Sequence, residues 1–220
     1  MRRVIGLGAG GHAQVVIEIL RALKCYDIAG LLDAQPFAPG RRVADVPVVG
    51  TDDDLDRLRH EGIDAAFIGV GSTGDLRVRY RLFSLVLRSG FEAITAAHPA
   101  ASVSPSARVG AGVMVMAHAV LNAAAIVGDN VIINTASVVE HGCVIGAHSH
   151  VATGARLGGN VTVGEGSHVG IGAVVVQGVR LGRNTLVGAG AVVLDDVRDH
   201  AVVGGVPARV LREKEHGWPI

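Results

Sequence analysis

From Val103 onward the chain repeats an aliphatic residue at every sixth place: Val103, Val109, Val115, Leu121, Val127, Ile133 and so on to Val193, sixteen hexapeptides in one register. Four places after each aliphatic stands a smaller or β-branched residue, among them Ala107, Ala119, Ala125, Ser137, Cys143 and Ser149. Glycine takes the second place in several units, as at Gly128, Gly146, Gly164, Gly170 and Gly188. This period predicts short parallel strands with a turn in every unit, the aliphatic filling the interior, the small residue beside it and glycine supplying turn dihedrals. Three units make a coil of 18 residues, so positions 18 apart stack at the inter-strand spacing of about 4.8 Å. On that ruler His150 lies under His168, and His141 has Ala123 one coil below and Gly159 one coil above. Small neighbours on both sides leave room beside the imidazole for a ligand.

Ahead of the repeat the pattern changes. Residues 4–7 predict a buried strand, a glycine run follows, and Val15, Val16, Ile19, Leu20 and Leu23 mark one face of a helix. Further strands are expected at 28–32, 46–49 and 65–70, with helices at 52–60 and 75–88. Alternation of this kind gives a small parallel α/β sheet. The chain thus divides near Pro99 into two unlike parts, 1–98 and 99–220.

Gly6, Gly8 and Gly11 satisfy G-x-G-x-x-G, and Asp33 follows where a dinucleotide fold places its ribose-binding acid. Glycines there let backbone N–H groups and a helix N-terminus approach a phosphate. The module has the size of one mononucleotide half, which favours a nucleotide sugar or similar phosphate over a full NAD site. The loop Gly8 to His12, with Gly10 and Gly11, and Asp33 are therefore the candidate substrate-binding residues. His12 is placed either to cap the helix or to touch a ligand.

Among the other histidines, His141 is outward-pointing at a third place and has the chemistry of a general base near neutral pH. His150 and His168 are read either as donors toward a phosphate or carbonyl or as ordinary turn residues. His118 and His148 fall at fourth places, where turns tolerate polar side chains. His60, His98, His200 and His216 have no assigned role. Cys143 sits in an inward small-residue slot, which suits packing better than nucleophilic attack.

Composition narrows the classes. Twenty basic and 20 acidic side chains give zero formal charge, removing the electrostatic case for nucleic acid or an anionic membrane. Two cysteines suggest neither a disulfide framework nor a Cys-based zinc site, and a reduced cytoplasmic setting is expected. The glycines interrupt the apolar stretch behind Met1-Arg2-Arg3, and no 18-residue apolar run exists, so neither export nor a membrane span is expected. Aromatics are only 3% against 31 glycines, which fits narrow layered interiors better than one large core.

Taken together, Gly8-Ala9-Gly10-Gly11-His12, the run from Ile133-Asn134 to Glu140-His141, the run from Ile145 through His148 and His150 to Val151, and the tail Gly205-Val206-Pro207-Ala208-Arg209 give the chain a family resemblance. It resembles the sugar acyltransferases typified by sialic-acid O-acetyltransferase and by N-acetyltransferases of nucleotide-linked 4-amino-4,6-dideoxy sugars, along essentially its whole length. The resemblance implies a Rossmann-like α/β module followed by a left-handed parallel β-helix, a handedness that spacing does not give. It also implies a homotrimer with active sites between adjacent β-helices, acetyl-CoA as co-substrate without a metal, and the sugar nucleotide on the N-terminal module. The family's catalytic histidine falls on His141, its acetyl-CoA-contacting histidine on His150, and the backbone amide meeting the thioester carbonyl on Gly159. Many members carry an acid directly after the catalytic histidine. Here Gly142 stands in that place, which leaves Glu140 or Asn134 as candidate orienters. UDP-sugar members often have paired acids after the second strand, whereas Ala34 and Gln35 follow Asp33, which leans toward guanine as in the GDP-perosamine N-acetyltransferases. The alternatives are O-acetylation of sialic acid, a trimeric β-helical zinc hydratase, and a non-catalytic scaffold.

Overall fold

A computed structural model of the chain describes residues 1–34, 38–72 and 75–214, so Gln35 and His216 lie outside the described residues. The N-terminal half is built from β1 (Arg2–Leu7), α1 (Gly11–Leu23), β2 (Tyr26–Leu32), β3 (Arg42–Val43), β4 (Val46–Gly50), α2 (Leu55–His60), β5 (Ala65–Ile68), α3 (Arg77–Arg88) and β6 (Glu92–Ala93). The sheet runs in the order β3-β4-β2-β1-β5-β6, parallel throughout except for the β3–β4 hairpin. Strand β1 is flanked by β2 on one side and β5 on the other, so the chain reverses direction across the sheet at the carboxyl end of β1. Ligand crevices of open α/β sheets form at such a point.

Three predicted spans are shorter than expected, for local reasons. The expected helix 52–60 opens as a 3-10 turn at Asp52–Asp54, where Thr51 and Asp54 form a capping box, before α2 begins at Leu55. Helix α3 starts at Arg77 because the Asp75 carboxylate accepts the Arg77 N–H at 2.9 Å and ends the preceding loop. Strand β5 stops at Ile68, and the carbonyl of Val70 turns to the guanidinium of Arg79 instead of to a strand.

The C-terminal half is a left-handed parallel β-helix. Two-residue strands recur every six residues from Ala96–Ala97 to Val192–Val193, one rung earlier than the repeat is visible in the sequence. They stack in three sheets, and successive coils pair residues 18 apart, such as Met114↔Ile132, Val139↔Leu157 and His150↔His168. From Val115 to Val193 the second residue of each strand enters a continuous core that includes Val115, Leu121, Val139, Leu157 and Val175. Burial of such a side chain contributes about 1.5–3 kcal/mol, repeated coil after coil.

Glycine's role at the second place differs from the expectation. A Cβ on Gly146 would lie 2.5 Å from the backbone nitrogen of Glu165 in the next coil, so the requirement there is close approach of backbones. Left-handed dihedrals fall at the fourth place, where His118 and His148 both have φ near 59°.

One face of the coil is not free. The outward residues Ala96, Met114 and Ile132 share a core with Val16, Ile17 and Leu20 of α1, so the α/β module packs directly on the first sheet.

Candidate active site

His141 follows the strand Val138–Val139 at a corner of the coil and is exposed, as its outward third place requires. Its carbonyl accepts the Asn160 N–H at 2.8 Å, and the next residue's N–H bonds Ala123, fixing the corner between the coils above and below. The imidazole occupies the space beside Gly159: a Cβ there would be 2.6 Å from Cε1 and Nε2. The 18-residue ruler thus places Gly159 against this ring. Among the described residues neither ring nitrogen of His141 has a hydrogen-bond partner, and the Gly159 N–H has no acceptor. The carboxylate of Glu140 makes no hydrogen bond to the ring. It accepts the Asn122 side-chain N–H at 2.9 Å and the His141 backbone N–H at 3.2 Å.

His150 is held quite differently. It is a strand residue, 6% exposed, on the sheet that the N-terminal half covers. Its Nδ1 lies 2.9 Å from both the carbonyl and the hydroxyl of Ser72, and its Nε2 lies 3.0 Å from the amide nitrogen of Asn134. A carbonyl only accepts, so Nδ1 carries the proton and Nε2 accepts from Asn134. Asn134 therefore serves His150 and not His141, which removes it as the orienter considered above. Burial, then the neighbouring His168, push the His150 pKa down to about 3 and keep the ring neutral.

His168 pairs with His150 across the coils, ring centroids 4.9 Å apart, so neither histidine is a turn residue. Its pKa falls to about 4, chiefly through burial and then through Lys214. His12 lies in the first turn of α1, and its Nε2 is buried without a partner. Burial and then Arg79 lower its pKa to about 3. It does not cap the helix, since Gly10 holds the N-cap position without a side-chain bond.

The glycine loop closes β1 as the motif predicts. Gly8 has φ +98°, and a side chain there would run into Val70. Gly10 and Gly11 are exposed with open space over their Cα atoms, so no side chain crowds the backbone where α1 begins. Asp33 stands across from them at the end of β2. Its carboxylate accepts from Arg41 Nη1 at 2.9 Å, while Arg41 Nη2 donates to the carbonyl of Ala9 at 2.8 Å. Arg41 thus bridges the two walls of the crevice and was not picked out by motif.

Arg79 was also missed. It is 1% exposed, and its guanidinium donates to the carbonyls of Ile68, Val70, Gly112 and Asn130 at 2.9–3.3 Å. The signal was present in the sequence: Arg79, Leu82, Phe83 and Val86 fall at i, i+3, i+4 and i+7, the buried stripe of α3. His148, expected as a simple turn residue, packs edge-on against Tyr80 and Phe83 of the same helix. Among the described residues no three His, Cys, Asp or Glu gather as a metal site, and no helix is long and apolar enough to cross a membrane.

Residues 3–85 match the family model of the PglD N-terminal domain, and residues 160–195 match the bacterial transferase hexapeptide model of six repeats. The fold is similar to a histidine-to-asparagine variant of perosamine N-acetyltransferase from Caulobacter crescentus, solved in complex with CoA and GDP-perosamine. The identity is 43% over 97% of this chain and 98% of that one, with a TM-score of 0.91. It is similar also to the acetyltransferase domain of PglB from Neisseria gonorrhoeae FA1090 in complex with acetyl coenzyme A, at 38% identity over 96% and 99% of the two chains and a TM-score of 0.87. WeeI from Acinetobacter baumannii AYE, at 24% identity over 95% and 100% of the two chains, shares the fold with a TM-score of 0.78. A search of the curated proteins finds no match.

Proposed function

The chain belongs to the family of hexapeptide-repeat acetyltransferases with a PglD-type N-terminal domain and is an acyltransferase, and from this we propose its acceptor and mechanism. The acetyl group of acetyl-CoA passes to the C4 amine of a nucleotide-linked 4-amino-4,6-dideoxy sugar. GDP-perosamine is the first candidate and a UDP-linked 4-amino sugar the second. The observation that carries this reading is an exposed imidazole whose ring nitrogens have no partner among the described residues, seated on a glycine whose N–H has no acceptor there, in a chain 43% identical to a protein solved with CoA and GDP-perosamine.

Transfer is direct. The amine lone pair attacks the thioester carbonyl carbon, the amine proton passes to His141, and the Gly159 N–H donates to the oxygen on which charge develops. Collapse of the tetrahedral intermediate breaks the C–S bond, and the proton held by His141 leaves with the CoA thiolate. Cys143 takes no part: its thiol donates to the Gly158 carbonyl at 3.2 Å inside the core, and burial raises its pKa. Residues 1–98 hold the nucleotide, its diphosphate at the loop Gly8 to His12 and its ribose or base near Asp33, while 99–220 supply the acetyl-transfer corner. His150 stands on the acetyl-CoA side through the amide it holds on Asn134. Three copies of the cytoplasmic protein assemble so that each corner meets a neighbouring coil.

Thiol release from acetyl-CoA, measured against GDP-perosamine, a UDP-4-amino-4,6-dideoxy sugar and free sialic acid, tests the proposal. Turnover is expected with one amino-sugar nucleotide, and His141→Ala is expected to lower kcat by roughly 10²–10⁴-fold with a much smaller change in KM for the acceptor. Turnover with sialic acid alone would shift the reading to O-acetylation, and unchanged kcat in the variant would remove His141 as the base.

A further inference from the structure

We propose that Arg79 is a positioning residue that sets the nucleotide crevice against His150 of the coil by fixing the segment 68–72, which touches both. The inference rests on the function proposed above. It starts from a guanidinium buried on the apolar stripe of α3 with no carboxylate partner among the described residues. Taking such a charge out of water is costly, and a leucine would have continued the stripe without that cost. What leucine lacks is a planar fork of five donors. Two of the four carbonyls the fork reaches, Ile68 and Val70, belong to the N-terminal half. The other two, Gly112 and Asn130, are corners of the coil.

The segment held in this way touches the glycine loop and then His150. Gly69 donates to the carbonyl of Leu7 at 2.7 Å, where β1 runs into the glycine loop. The Val70 side chain fills the place a Gly8 side chain would need, and Gly71 lies against the His12 ring. Ser72 then holds Nδ1 of His150, whose Nε2 takes the Asn134 amide. Glycine loop and coil histidine are therefore joined through five residues whose backbone Arg79 anchors to the coil. A displacement of about 1 Å in such a linker is enough to cost about 10²-fold in turnover when two substrates must meet in line.

Arg79→Lys and Arg79→Met test this, with steady-state kinetics for both substrates and calorimetric titration of GDP-perosamine into wild type and variants. Lysine keeps the charge but concentrates its donors at one point, and methionine removes charge and donors while keeping an unbranched apolar stem. The expected result is a rise of about tenfold or more in KM and Kd for the sugar nucleotide and a fall in kcat, with KM for acetyl-CoA rising as well because the same segment holds His150. The lysine variant should lie closer to the methionine variant than to wild type. A lower Tm with unchanged kinetics per folded molecule would overturn the inference, as would a change confined to the KM of one substrate. Failure of both variants to fold would assign Arg79 to stability alone and overturn it too. A wild-type protein that neither binds nor acetylates the sugar nucleotide would take down the proposed function and this inference together, whereas an active wild type with variants at parity removes only the inference.

Discussion

A methyl group at position 159 would sit 2.6 Å from the His141 ring, closer than carbon and nitrogen approach without a shift. Gly159→Ala is therefore expected to turn the imidazole off its seat and lower kcat by about tenfold or more while Tm changes by only a few degrees, since the residue lies at an outward corner. Kinetics beside a thermal melt would check it; full activity in the variant would mean that the ring need not rest there. This pair was legible in the sequence because an 18-residue coil turns linear spacing into contact. The partners of His150 were not. Ser72 lies 78 residues away in a loop of the other half, and no periodic rule connects the two. Asn134 misled for a related reason: the coil register puts it close to His141 in sequence, but the face that α1 and the segment 68–72 cover decides where its amide goes.

The strands His150–Val151 and His168–Val169 show what covering one sheet does to side chains that would otherwise meet water. With His12 they bring three imidazoles into the seam, each with its pKa lowered from 6.5 to about 3 or 4, first by burial. Between those values and 6.5 the unfolded chain binds protons that the folded chain refuses, so this contribution to stability is complete above pH 6.5 and is lost as pH falls toward 4. Urea unfolding from pH 7.5 to 4.5 should show that loss, and His168→Gln should flatten the profile; parallel profiles would show that His168 charges without penalty. The inward residues of the strands act otherwise. Leu157→Ala should cost about 2–5 kcal/mol at any pH in that range, read from the urea midpoint, because adjacent coils cannot close around a missing side chain. Strand positions were readable from the aliphatic period alone. The glycine code was half readable: the second place was identified, yet its need for backbone approach instead of a special dihedral emerges only when neighbouring coils are in place.

For the whole molecule, the coil leaves apolar side chains in solvent on its two uncovered sheets and corners, including Ile126 at 44%, Val144 at 39% and Ile171 at 62% exposure. On a chain with zero formal charge such surfaces favour association. Light scattering is expected to give about three times the 22.5 kDa of one chain, and a monomer at assay concentration would overturn the trimer. The two-part architecture was legible from the switch between α/β alternation and period six. The handedness came only through resemblance, and the intimacy of the two halves not at all, because nothing in either pattern says that α1 will share a core with Met114 and Ile132. The 18-residue pairing, finally, gives the molecule a height scale in which sequence length and altitude are interchangeable. Eighteen residues spliced in above Val169 would lengthen the column by one storey of about 4.8 Å and leave His141 and His150 at their present levels. The same insert placed between them would raise one relative to the other by that storey with the hydrophobic register intact, so the column can grow at its far end but is locked at the level where the two histidines are read together.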